Sequence, residues 1–188
     1  MSRTPSNMIE LGTTLPSFSL SDTVSGKNIS SNDLKGAKAA VIMFICNHCP
    51  FVKYVNKELV RLANDYIPKG IKFIAISSND VVNYPEDAPE KMKETANHLG
   101  YPFPYLYDES QVTAMAFDAA CTPDFYIFNA DEKLVYRGQL DDSRPSLDIP
   151  VTGNDIRSAL DNILTRQPVS DFQRPSIGCN IKWKNSSH

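Results

Sequence analysis

Tryptophan occurs once in this chain and cysteine four times. Four cysteines in 188 residues are too few for a disulfide scaffold. A chain of that length buries a core without staples or a structural metal. Excess positive charge is also lacking, with a net charge of −3 and an isoelectric point near 5.6. No general field draws the chain to nucleic acid or anionic lipid. Long apolar runs are missing too. Nothing approaches the roughly 18 apolar residues of a membrane span, and the opening residues hold no signal-like apolar stretch. The expected compartment is the cytoplasm, with an organelle stroma as the alternative. Neither a nucleic-acid nor a membrane partner is expected.

The hydrophobic fraction is 41% and the charged fraction 22%, the balance of an ordinary soluble domain. The sequence predicts one domain over 1–188, with a core over about 11–165 and a tail over 167–188 that packs back on it. Residues 1–14 read as a loose leader. Leu15 to Leu20 alternates like a short edge strand, and Lys27 to Ile29 reads as its return. Ala39 to Ile45 is an unbroken apolar run, the mark of a central strand buried on both faces. A helix from about Phe51 to Ile67 follows, with Val52, Val55, Leu59, Leu62, Ala63 and Tyr66 on one face. Ile71 to Ile76 is the second central strand. Ser77 to Asp87 reads as a polar loop, and Pro89 opens a helix that Gly100 stops. Phe103 to Tyr107 is extended and Val112 to Phe117 a short helix. Phe125 to Phe128 and Leu134 to Tyr136 form a hairpin. Asn154 is placed to cap a last helix reaching Leu164. Together these elements predict an α/β sandwich around one mixed sheet.

Cys46-Asn47-His48-Cys49 stands between the first central strand and its helix. A C-x-x-C beside a βαβ pattern is a dithiol redox motif. Amide groups at a helix start stabilise a thiolate, and a second thiol across two intervening residues resolves a mixed disulfide. His48, if protonated, favours the thiolate further; the bland alternative is a side chain pointing into solvent. Pro50 is suited to the first helical turn. Two buried core cysteines, or a metal site completed elsewhere, are the other readings of the pair. Structural zinc needs four ligands, and a second C-x-x-C or His pair is missing. No metal or other cofactor is expected. Thr122-Pro123 lies just ahead of a predicted strand and is expected to be cis.

With these parts in view, the chain resembles the thioredoxin-like superfamily, in particular its redoxin branch of peroxiredoxin-like and thiol–disulfide reductase-like proteins. The likeness rests on Gly12-x-x-Leu15-Pro16-x-Phe18-x-Leu20, the Val41–Phe44 strand, the cysteine pair, Thr122-Pro123 and the hairpin. It implies a thioredoxin-like sandwich, a central mixed sheet flanked by helices, with an N-terminal extension and a C-terminal tail. By the same resemblance, Thr122 and Pro123 face the dithiol. Thr122 then offers its backbone to a substrate, and Pro123 keeps metals off the sulfurs. The tryptophan usual before the first cysteine is absent, and Ile45 stands there.

The plain C-x-x-C reading makes Cys46 the attacking thiol and is preferred. Spacing from Phe44, judged by the family pattern, makes it Cys49, with Val52 where a second cysteine would stand and Cys46 as an upstream resolver. That second alignment leans toward the peroxiredoxins, but the upstream threonine hydroxyl that polarises peroxide is missing.

Three functions follow. The first is a thiol–disulfide oxidoreductase of antioxidant or redox-homeostasis type, forming a Cys46–Cys49 disulfide bond and acting on protein or small-molecule thiols and disulfides. The second is a thiol peroxidase using Cys49 on peroxides. The third is a non-enzymatic module in which Cys46, Cys49 and His48 hold copper or zinc. Site residues are Cys46, Cys49, His48, Thr122 and Pro123. Cys121 and Cys179 read first as packed core thiols, with a resolving role as the alternative.

Overall fold

Apolar runs become the centre of a sheet when helices cover both faces, and the computed structural model of this protein follows that rule over the residues it describes, 3–185. In chain order the elements are β1 (Arg3–Pro5), β2 (Ser19–Asp22), β3 (Asn28–Ser30), β4 (Ala39–Phe44), α1 (Pro50–Tyr66), β5 (Ile71–Ser77) and α2 (Pro89–Leu99). Then come β6 (Tyr105–Tyr107), α3 (Val112–Ala116), β7 (Cys121–Thr122), β8 (Asp124–Asn129), β9 (Leu134–Gly138), α4 (Asn154–Leu164) and β10 (Ile177–Asn180).

Seven strands form one mixed sheet in the order β3-β2-β6-β5-β4-β8-β9. The pairs β4–β5 and β5–β6 are parallel, and β4–β8 and β8–β9 antiparallel. Every residue of β4 is buried, so the strand needs no polar alternation. Its side chains still divide by face. Val41 and Met43 pack with α1, α2 and α4 through Val52, Leu59, Leu62, Met92, Ile156 and Leu160. Ala40, Ile42 and Phe44 pack with Leu15, Phe18, Ala114 and Phe117 on the other face. Each fully buried Leu or Ile adds about 1.5–3 kcal/mol relative to exposure. This is the α/β arrangement the resemblance implied, a central mixed sheet flanked by helices.

A smaller sheet of three strands, in the order β1-β10-β7, has no counterpart in the sequence reading. Residues 1–14 are not a loose leader within the described range. Arg3–Pro5 pairs with Ile177–Cys179, and Thr14 bridges Lys133. The tail packs back as expected, and it does so as a strand. The first edge strand begins at Ser19, later than its alternation suggested, while Leu15 and Phe18 serve as core anchors. Each of these ladders joins distant segments, so local pattern carries no trace of it.

At the last helix, Asn154 is the first helical residue, and Gly153 stands before it with φ of 69°. Its backbone is what favours glycine there; the nearest atom to a Cβ at 153 would be the tip of the Glu58 side chain, which can move aside.

Candidate active site

β4 delivers the cysteine segment to the end of the sheet. Ile45 continues the ladder, donating its N–H to Ile76 O at 3.0 Å. Cys46 to His48 then form a short loop, and Cys49 stands at the N-cap of α1 with extended backbone. Pro50 follows as the first helical residue, where its missing N–H costs nothing. Cys49, not Cys46, therefore meets the free amides and the positive end of the helix dipole.

Four groups converge on the Cys49 sulfur. Cys179 Sγ is 2.8 Å away and the Thr122 carbonyl oxygen 3.3 Å away. Cys46 and the Val52 amide also hydrogen-bond to it. Burial opposes ionisation, but hydrogen bonding from Cys46 outweighs it. With help from Cys179, the Val52 amide and the Thr122 side chain, the Cys49 thiol is drawn from an ordinary 9.0 down to about 5. Cys46 moves the other way. Its hydrogen bond to Cys49 is the main cause, followed by burial and the negative charge of Asp87, and together they hold the Cys46 proton on. Cys46 Sγ also lies 3.5 Å from Thr122 Oγ1 and 4.0 Å from His48 Nδ1.

His48 does not simply face solvent. Its Nδ1 is 2.5 Å from Asp87 Oδ2, and its side chain is 19% exposed. The ring stacks on Tyr84. The Asp87 hydrogen bond raises the His48 pKa above 6.5 against the opposing effect of burial. Asp87 is itself fully buried. Its Oδ1 accepts from the backbone amides of Asn47 (2.8 Å) and His48 (3.2 Å), and its Oδ2 accepts from Asn79 Nδ2 (2.8 Å). Burial favours the neutral acid, yet these donors, His48 first among them, keep Asp87 below its usual range. One carboxylate thus fixes both the loop backbone and the imidazole between the cysteines.

Asp87 was missed by sequence reading, which gave Ser77–Asp87 only as a polar loop. Asn79, Asp80 and Asp87 are instead buried, and Asn79 Oδ1 accepts the Lys182 amide at 2.8 Å, tying this segment to the C-terminal strand. With 39 positions separating Asp87 from His48, no motif joins them.

Thr122–Pro123 is a cis peptide. It does face the dithiol, through the Thr122 carbonyl and hydroxyl. Its backbone is already engaged, because Thr122 pairs with Cys179 and Cys121 with Asn180 across β7–β10. Cys121 points elsewhere, with its sulfur 3.7 Å from Pro123 O, and burial pushes its thiol far up. The described residues hold one group of potential metal ligands, Cys46, His48 and Asp87, whose ligand atoms lie within 4.8 Å of one another. His48 Nδ1 lies 2.5 Å from Asp87 Oδ2 and 4.0 Å from Cys46 Sγ, so the three are joined in a hydrogen-bond chain.

A mixed sheet, a cysteine at the start of the helix after its central strand, and a cis-proline turn against that cysteine together define a thioredoxin-fold redoxin. Within that class the chain belongs to the AhpC/TSA family, whose model matches residues 11–137. It is similar along its whole length to an uncharacterised conserved protein of Geobacillus kaustophilus, with 62% identity and a TM-score of 0.98 over 100% of this chain and 99% of that one. A hypothetical protein of Sinorhizobium meliloti is 43% identical with a TM-score of 0.95, over 97% and 100% of the two chains. The fold also recurs in a putative thioredoxin from Neisseria meningitidis, at 22% identity and a TM-score of 0.63 over 83% of this chain and 92% of that one. No curated protein matches. Among the described residues no helix is long and apolar enough to cross a membrane.

Proposed function

We propose that this protein is a thiol–disulfide oxidoreductase in which Cys49 is the attacking thiolate and Cys46 its partner thiol. The observation that carries the reading is position: Cys49 is the N-cap of α1, where the helix amides are free, while Cys46 lies in the loop before it, close to His48 and Asp87. The two thiols are shifted in the sense this position demands, Cys49 downward and Cys46 upward. This reverses the preference that the bare C-x-x-C spacing gave, and helix position is the physical reason. At neutral pH Cys49 is ionised and ready to attack a substrate disulfide. Cys46 then attacks the mixed disulfide, closing Cys46–Cys49 and releasing the second substrate thiol. His48 protonates the departing thiolate, since Asp87 keeps the ring charged to higher pH.

A peroxide substrate asks for donors aimed at a leaving oxygen. Arg144 is spent on Gln139, Asp141 and Ser143, and Arg137 on Ile9 and Gln173. Their commitment favours disulfide over peroxide chemistry. Cys49 is 0% and Cys46 2% exposed, so turnover requires the site to open.

The test compares kcat/KM for a small disulfide with that for hydrogen peroxide under one reductant. Disulfide turnover is expected to be the faster. A peroxide value at or above ~10⁴ M⁻¹s⁻¹, the low end for working enzymes, with slower disulfide turnover, would overturn the assignment in favour of a peroxidase.

A further inference from the structure

We infer that Cys179 is a second resolving thiol for Cys49, so that one nucleophile closes alternative disulfides with Cys46 and with Cys179. This rests on the reading of Cys49 as the attacking thiolate. Three observations on the strand that carries Cys179 support it. The Cys179 and Cys49 sulfurs lie 2.8 Å apart although 130 positions separate them. Cys179 is held there by register, opposite Thr122 on one side and Arg3 on the other, in the middle strand of the small sheet. Gly178 is what allows that approach. A Cβ at 178 would lie 1.9 Å from the Thr122 carbonyl oxygen, closer than any side chain can come, and that same oxygen lies 3.3 Å from Cys49 Sγ. The backbone that carries Cys179 is therefore pressed onto the turn that faces Cys49.

The chemistry balances without a group from outside the reaction. Cys49 thiolate attacks a substrate disulfide, forming Cys49–S–S–R and expelling the first substrate thiolate. Cys179 sulfur attacks Cys49 Sγ, the bond to R breaks, and Cys49–S–S–Cys179 forms. The proton of Cys179 passes to the departing R thiolate. Two protein thiols are oxidised while one substrate disulfide becomes two thiols, and an external dithiol resets the pair. In the resting site, burial, the hydrogen bond to Cys49 and its negative charge raise Cys179 to about 12. Formation of the mixed disulfide removes the Cys49 charge and its hydrogen bond, two of the three causes that hold the Cys179 proton on, so the second thiol is more readily ionised after the first has reacted than before.

The experiment uses the full chain with Cys46→Ser and Cys121→Ser, leaving Cys49 and Cys179. It is treated with one equivalent of an aromatic disulfide whose released thiolate is coloured. If Cys179 resolves, both halves of the reagent are released, the protein mass falls by two hydrogens, and a peptide joining Cys49 to Cys179 is recovered. Release of one half only, with the other retained on Cys49, would overturn the inference and leave the Cys49 reading standing. No release, or an adduct mapped to Cys179 with Cys49 still a free thiol, would overturn that reading instead. Circular dichroism of each variant checks folding. Should the double variant unfold, the same mapping on wild-type protein decides between Cys46–Cys49 alone and a mixture containing Cys49–Cys179.

Discussion

The large sheet and the small one divide the work of this site. The seven-stranded sheet has apolar runs at its centre, in β4, β5 and β8, and it sets Cys49 at the start of α1. The three-stranded sheet is made of both ends of the chain and two residues before Pro123, and it brings the Thr122 backbone and Cys179 to that sulfur. Burial is the same in both regions, since Cys49 and Cys121 are each fully buried. Burial alone drives a thiol up, as at Cys121. Hydrogen bonds from Cys46, Cys179, Val52 and Thr122 bring Cys49 down. The difference teaches that a buried thiol is shifted down or up by the donors that two unrelated pieces of backbone place around it, and not by its exposure.

The severest way to break the comparison is to remove the sulfur that both sheets serve. Cys49→Ser is expected to lower kcat/KM for a small disulfide by at least ~10³-fold, measured with a dithiol reductant. Cys46→Ser is expected to keep the first thiol attack, read as formation of a mixed disulfide by mass. The opposite pattern would return the nucleophile to Cys46.

Asp87→Asn tests the clamp contributed by the loop after β5. Four donors lose a charged acceptor, so stability in denaturant should fall by about 2–4 kcal/mol. The pH profile gives a sharper signature. In the wild type, kcat/KM rises as Cys49 ionises near 5 and falls as His48 loses its proton above 6.5. Without the Asp87 carboxylate the falling limb moves to lower pH. The sign for stability agrees. A raised His48 pKa stabilises fully below 6.5 and ever less as pH climbs through the folded value. A lowered Asp87 pKa stabilises above 3.8 and is lost as pH drops through its folded value. The His48–Asp87 coupling in a double-mutant cycle is therefore greatest in mild acid.

Gly178→Ala strikes the small sheet and spares the large one. The clash with the Thr122 carbonyl should cost about 1–3 kcal/mol. Hydrogen exchange should quicken at β10 and stay slow at β4 and β5. Uniform loss of protection would mean that the two sheets unfold as one unit. A gentler change is Cys46→Ala, which removes the largest cause of the low Cys49 pKa. The midpoint of alkylation at Cys49 should rise from about 5; an unchanged midpoint would credit the helix start alone. Smallest is Cys121→Ser, expected to cost about 1 kcal/mol and to leave turnover as it was.

Sequence by itself determined the large sheet. Ala39–Phe44 and Ile71–Ser77 are readable because a strand buried on both faces must be apolar throughout. Pro89–Leu99 is readable because proline starts and Gly100 stops a helix. The C-x-x-C and the Thr122-Pro123 dipeptide were legible as local motifs of the redoxin kind. Tertiary structure alone decided the rest. The order of the two sulfurs depends on which one meets the helix amides, and a spacing of four residues fits either. Asp87 bonds to His48 from a polar loop far along the chain, and β1 meets β10 from opposite ends of it. Such contacts are fixed by the closing of the fold over long loops, where pairing carries no periodic signal. That closure sets Cys179 on Cys49 and gives the buried sulfur its charge.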